Sequence, residues 1–149
     1  MLDFMLEAIK EAQKAGKKGE VPIGAVIVLN GKIIAKGRNK REKTQNALHH
    51  AEIIAINKAC KRLKSWRLDG AEIYVTLEPC PMCAGAISNA RIKKVIYSAK
   101  DKSNNQEINN LIFSSTRLNH KVLYEQGPYA ETSSKLLTDF FEDKRKKQS

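Results

Sequence analysis

Ile73-Tyr74-Val75-Thr76-Leu77 runs straight into Glu78-Pro79-Cys80-Pro81-Met82-Cys83-Ala84-Gly85-Ala86-Ile87, and that junction decides how the chain is built. The first five residues are apolar and β-branched enough to read as a strand. Pro79 ends it, because proline has no N–H to give to a strand ladder. Cys80 then stands where a helix begins. Pro81 takes the first helical position, where its missing donor is least felt. Ala84, Ala86 and Ile87 carry the helix on. The reading is a strand feeding a helix that starts with two thiols.

Upstream, Leu2, Met5, Leu6, Ala8, Ile9 and Ala12 recur at helical spacing over residues 2–16, and Gly16 and Gly19 end the run. Ala25–Leu29 and Ile33–Ala35 flank Asn30-Gly31. That is a hairpin signal, because both turn residues tolerate positive φ. Residues 38–48 read as a polar loop. A helix is expected from about His49 to Lys64, with Ile53, Ile56 and Ala59 or Cys60 as its buried stripe.

Downstream, Val95-Ile96-Tyr97 and Val122-Leu123-Tyr124 read as strands. Between them, 102–120 is rich in Asn and Ser and ambiguous, with Ile108, Leu111 and Ile112 able to make one helix. A last helix is expected over about 129–146, with Leu136, Leu137, Phe140 and Phe141 inward and a basic tail behind it. Helices alternating with strands predict a layered α/β domain. No linker or repeat divides the 149 residues, so one domain over 1–149 is expected.

The net charge is +11, more than solubility needs. A surplus of that size points to a polyanionic partner, most simply nucleic acid; an inert basic surface is the bland alternative. Cys60, Cys80 and Cys83 are too few for a disulfide framework, and the first eighteen residues lack a long apolar run. The expectation is a protein of the reducing cytoplasm, with no signal peptide and no membrane span.

His50-Ala51-Glu52 adds an imidazole and a carboxylate to the two thiols. One nitrogen and two sulfurs make three zinc ligands. Three protein ligands leave the fourth tetrahedral position open for water, which is the mark of a catalytic site. Glu52 is then the general acid/base. On a continuous helix two residues apart do not face the same way, so His50 and Glu52 converge only at a frayed start. Two competing readings stand beside this one. A closed structural site needs a fourth ligand from Cys60, His49 or His120, although Cys60 reads as a small core residue and His49 points elsewhere. A redox Cys-x-x-Cys lacks the expected order of strand, motif and helix at the chain's start.

The chain also resembles the bacterial tRNA-specific adenosine deaminases, within the zinc-dependent cytidine/deoxycytidylate deaminase superfamily. The resemblance is carried by Glu20-Val21-Pro22-Ile23-Gly24-Ala25-Val26, Gly37-Arg38-Asn39, Val75–Cys80, Cys83-Ala84-Gly85-Ala86, Arg91-Ile92, Leu118-Asn119-His120 and Leu137-Thr138-Asp139-Phe140-Phe141, in order along nearly the whole chain. It implies a three-layer α/β/α fold with a mixed five-stranded sheet, and hydrolysis of adenosine to inosine at the wobble position of a tRNA anticodon. It implies one Zn²⁺ per subunit held by His50, Cys80 and Cys83, with Glu52 moving protons. It places Asn39 against the target nucleoside, Asn119 near the purine, and the backbone around Ile23 and Ala25 in the pocket wall. It also implies a homodimer. Two strings depart from the family pattern, Asn46-Ala47-Leu48-His49 and Lys102–Glu107, and both are expected to border the substrate entrance.

Adenine C6 is out of reach in a stacked helix, so the base must be splayed out, as an anticodon loop permits. Phe140, Phe141, Lys144 and Arg145 are candidates for RNA contact, against the plain reading of the tail as a solvated helix end. Two rival functions remain open. One is a deaminase of a free base or nucleotide, of guanine or cytosine type. The other is a zinc-stabilised RNA-binding module without turnover.

Overall fold

The computed structural model describes residues 2–103, 105–115 and 120–148. A five-stranded sheet forms the middle layer, in the order β2-β1-β3-β4-β5. β1 (Gly24–Leu29) and β2 (Lys32–Arg38) form the expected hairpin. Its turn residues, Asn30 and Gly31, have φ of 51° and 77°, the left-handed pair that matches strand twist. β1 also runs antiparallel to β3 (Glu72–Leu77). From there the sheet turns parallel, through β4 (Lys94–Ala99) to β5 (Leu123–Gln126). The expected mixed sheet is present.

Strand alternation fills two cores, one on each face. Val26, Val28 and Ile96 meet Met5, Ala8 and Ile9 of α1 (Phe4–Lys17), where Asp3 caps the helix through Leu6 N–H. Ala25, Ile27, Ile73, Val75, Val95 and Tyr97 point the other way, onto α3 (Ala51–Leu63) and α4 (Pro81–Asn89). This is the three-layer α/β/α arrangement. Two glycines set the layer spacing. A Cβ on Gly24 would stand 2.1 Å from Ala8 O, and one on Gly37 would stand 2.3 Å from Ala51 O. Helix backbone lies directly on strand backbone at both places.

Several expectations change. Residues 38–48 are not all loop: β2 runs to Arg38, and α2 (Arg41–Thr44) follows. The Glu20 carboxylate accepts the N–H groups of Glu42 (3.0 Å) and Lys43 (2.8 Å), a cap supplied from far away in the chain. In α3 the buried stripe is Ala51, Glu52, Ala55, Ile56 and Ala59, with Ile53 and Cys60 only half-buried. The close approach at Gly37 leaves room for alanines there.

α5 (Gln106–Ser114) does form, and of its expected apolar residues Ile112 packs half-buried against the core. Ile108 and Leu111 are exposed, while Asn109 and Phe113 are buried. α6 (Ala130–Gln148) carries the basic run inside the helix. Leu136, Leu137 and Phe140 are half-buried, and Phe141 is 41% exposed, not inward. Ser133 is the residue of α6 that is buried, where its hydroxyl meets Ser98 at 2.8 Å. The helix leans on the sheet by its first turns and leaves the rest in solvent. Among the described residues, no helix is long and apolar enough to cross a membrane.

Candidate metal centre and active site

Two helix starts meet at one point. His50 is the N-cap of α3 and Cys80 the N-cap of α4, both with extended backbone (φ −74°, ψ 161° and φ −72°, ψ 166°). N-caps are usually Ser, Thr, Asp or Asn, whose side chains bond the free N–H groups of the first turn, worth about 1 kcal/mol. Neither His50 nor Cys80 makes such a bond. Their side chains point instead at each other and at Cys83, one turn into α4. His50 Nδ1 lies 3.6 Å from both Cys80 Sγ and Cys83 Sγ. All three donor atoms fall within 4.8 Å of one another, the one such group among the described residues.

Metal bonds of about 2.1 Å to nitrogen and 2.3 Å to sulfur, at a tetrahedral angle, set those donors about 3.6 Å apart. The spacing of the side chains therefore fits a metal ion. The extended backbone at His50 also resolves the facing problem. The histidine lies outside the helix, so Glu52 in the first turn reaches the same site.

The alternatives for a fourth ligand are occupied elsewhere. His49 Nδ1 meets Thr44 Oγ1 at 2.8 Å, and His120 Nε2 meets the Ile92 carbonyl at 2.8 Å. Cys60 is half-buried, its thiol 3.8 Å from the Trp66 carbonyl, and burial pushes its pKa up.

The electrostatics suit the donor set. The Cys83 thiol hydrogen-bonds to Cys80 and holds it ionised, its pKa down to about 4. That same bond, with burial, pushes Cys83 up. Hydrogen bonding to Cys80 raises the His50 ring. Glu52 is 4% exposed, and burial pushes its carboxyl up to about 7. A carboxyl with that value is populated in both forms near neutrality, which is what proton shuttling needs.

Asn39 is buried, and the next residue, Lys40, ties its stretch to the site by donating its N–H to the His49 carbonyl at 3.0 Å. The Asn39 N–H donates to the Ile23 carbonyl at 3.2 Å, and its Oδ1 accepts the Arg41 N–H at 3.1 Å. Two of the expected pocket residues, Asn39 and Ile23, are thus tied together. Ala25 is fully buried, paired with Val75 in the sheet. Asn119 lies outside the described residues.

At the end of β3 a cavity of about 380 Å³ opens, lined among others by Leu77, Lys100, Asp101, Leu137, Phe141 and Arg145. Phe141 and Arg145 of the expected RNA-contact set face it. Phe140 meets Phe141 edge-on at 5.4 Å and sits under Lys144, whose Nζ is 6.0 Å from the ring centre. Lys100 and Asp101 escape the sequence reading. Their signal is a place immediately after the fourth strand, on the edge where the third leads to Cys80.

A family model for MafB19-like deaminases matches residues 2–145. The tRNA-specific adenosine deaminase of Bacillus subtilis (strain 168) is 49% identical over 147 residues, covering 97% of this chain and 91% of that one. A structure solved in work on A-to-I editing at the wobble position of transfer RNA superposes with a TM-score of 0.76. It is 44% identical and covers 83% of this chain and 96% of its own. The chain belongs to the tRNA-specific adenosine deaminase family. The guanine deaminase of Bacillus subtilis is more distant from this deaminase, at 34% identity and a TM-score of 0.65 over 96% of this chain and 92% of that one.

Proposed function

We infer that this deaminase hydrolyses adenosine to inosine at the wobble position of a tRNA anticodon, in the cytoplasm, with zinc held by His50, Cys80 and Cys83. The observation that carries the reading is a buried carboxyl, Glu52, beside a three-donor cluster at two converging helix starts. Zinc, when bound there, supplies the polarisation that makes a water acidic enough to attack adenine C6.

The chain's own residues do the rest. Cys80 is a thiolate at a helix N-terminus that favours the charge, and Cys83 would give up its proton to hold the metal beside it. Glu52 takes one proton from the attacking water and passes it to ring nitrogen N1, then takes the second from the oxygen now on C6 and delivers it to the departing amine. Water is consumed, ammonia leaves, and Glu52 ends in its starting state. Asn39 and the backbone of Ile23, already linked, position the nucleoside, with Asn119 near the purine. Phe141 and Arg145, beside Lys100, offer a ring and a positive charge to neighbouring nucleotides.

A second copy of the chain fits beside α4. Gly85, where an added Cβ meets nothing within 4 Å among the described residues, lies with half-buried Met82 and Ala86 at helical spacing along one side of α4, flanking Cys83 in the chain. That side of the helix supports a homodimer.

Incubation with total tRNA, followed by sequencing, tests the activity. A-to-I conversion confined to an anticodon first position is expected. Turnover of free guanine or cytosine with tRNA untouched overturns the reading in favour of a free-base deaminase.

A further inference from the structure

α5 turns a polar side chain inward and an apolar pair outward. Asn109 is fully buried, although Ile108 and Leu111 on the same helix are exposed. Its amide nitrogen donates to the Pro79 carbonyl at 2.6 Å and to the Tyr124 hydroxyl at 3.3 Å. Tyr124 donates in turn to the buried Glu78 carboxylate. The other oxygen of Glu78 accepts the Asp101 N–H at 3.2 Å. Ring contacts with Tyr97 (4.9 Å) and Phe113 (5.0 Å) aim the Tyr124 hydroxyl. Side chains from α5 and β5, and the backbone after β4, therefore converge on two residues, Glu78 and Pro79. The next residue is Cys80.

A pure packing role does not explain this arrangement. Asn109 Oδ1 is buried with no hydrogen-bond partner among the described residues. An unpaired buried acceptor destabilises a fold, so packing alone gives no reason to keep an amide there. The amide does have a use at its other end. Cys80 has extended backbone outside its helix, so where Sγ points depends on the peptide that leads into it as well as on Cys83 of the first turn. The carbonyl of Pro79 belongs to the same peptide plane as the Cys80 nitrogen. Holding that carbonyl fixes the plane from which Cys80 φ and χ1 set the direction of the sulfur.

We propose that Asn109 and Tyr124 are positioning residues: they lock the Glu78–Pro79 segment, and through it the Cys80 sulfur, in the geometry that binds the metal. The proposal rests on the reading of His50, Cys80 and Cys83 as metal ligands. Partners one step removed from a metal site orient its ligands, and losing one typically weakens metal binding about 10–100-fold.

The test uses the zinc-loaded protein and three variants: Asn109→Leu, Tyr124→Phe and, as a packing control in the core on the other face of the sheet, Ile9→Ala. Zinc affinity is read by competition with a chromophoric chelator, ligand geometry by the absorption bands after exchange for cobalt, and fold stability by melting of the metal-free protein. Asn109→Leu is expected to bind zinc about 10-fold or more weakly and to shift the cobalt–thiolate bands; metal-free melting falls as well, because the Pro79 carbonyl loses its donor. Tyr124→Phe moves affinity and bands the same way by less. Ile9→Ala lowers the melting temperature and leaves affinity and bands alone.

Parent-like affinity and bands in both Asn109→Leu and Tyr124→Phe overturn the proposal, whatever happens to melting. If Asn109→Leu does not fold, Tyr124→Phe, which removes a single oxygen, decides by the same two readouts. A parent that holds no zinc overturns both the proposal and the metal-site reading. A parent that holds zinc no better than its variants overturns the proposal alone.

Discussion

The donor cluster and the outer half of α6 are built in opposite ways. At the cluster, Cys83 and Glu52 are buried and His50 and Cys80 half-buried, two helix starts fix the backbone, and each donor has its direction set by neighbours. In α6, every residue from Phe141 to Gln148 is exposed, and the helix is laced by local ion pairs such as Lys135–Asp139 (2.7 Å) and Lys147–Asp143 (3.1 Å). Chemistry demands sub-ångström placement, so it sits where the core over-determines the backbone. A nucleic-acid backbone is met mainly by charge, which tolerates a mobile side chain in water. Changes at the cluster should therefore alter rate or stability, and changes in α6 should alter binding.

Glu52→Gln keeps the shape of the side chain and removes its basicity. Deamination of an anticodon stem-loop should fall by about 10²–10⁴-fold, the usual loss on removing a general acid/base. Zinc content, measured by atomic emission, should stay at the parent level, because Glu52 is not a donor. An unchanged rate defeats the mechanism; lost zinc reassigns Glu52 as a ligand.

Gly37→Ala tests the support beneath α3. The new Cβ stands 2.3 Å from Ala51 O and 2.6 Å from Ala55 N, both backbone atoms that cannot swing aside. Overpacking of this kind costs about 1–3 kcal/mol. The helix start bearing His50 and Glu52 must shift to relieve it, so thermal stability and turnover should drop together. Arg145→Ala on the exposed helix should leave stability within about 0.5 kcal/mol, as surface changes usually do. Parallel melting curves for the two variants measure the contrast directly. Equal stability in both would mean that α3 is free to slide on β2.

What the sequence discloses follows the same division. The strand, proline, N-cap and thiols of 73–83 are set by neighbours in the chain, and Asn30-Gly31 declares its own turn. Those are legible. The cap on α2 is not, because its carboxylate is Glu20, which lies outside the local window. The face of α5 is only partly legible, with Ile112 on the core as its apolar character suggests. Periodicity favours Ile108 and Leu111, whereas the buried position goes to Asn109, whose partners are Pro79 and Tyr124. Apolar character alone puts Phe141 inward. Only the three-dimensional lean of α6 shows that the ring faces a cavity shared with Lys100 and Arg145. Of the site residues, His50, Glu52, Cys80 and Cys83 need only spacing and helix chemistry. Asn39 owes its place to a tertiary bond with Ile23, and without the family resemblance it reads as a turn residue.

Ending the chain at Asp143 tests the other side of the comparison. The deletion removes Lys144, Arg145, Lys146 and Lys147, four positive charges on the exposed end of α6. It leaves the donors and both cores untouched, so melting temperature and metal content should hold. Turnover of saturating substrate should hold as well. Affinity for the stem-loop should fall, and its salt dependence should flatten. On a single strand, every phosphate that the tail no longer neutralises lowers the slope of log K against log salt by about 0.7, so two such phosphates remove about 1.4. The slope separates two meanings of the tail. A run that only solvates the helix end changes neither affinity nor slope. A run that holds phosphates changes both, and the change in slope counts how many.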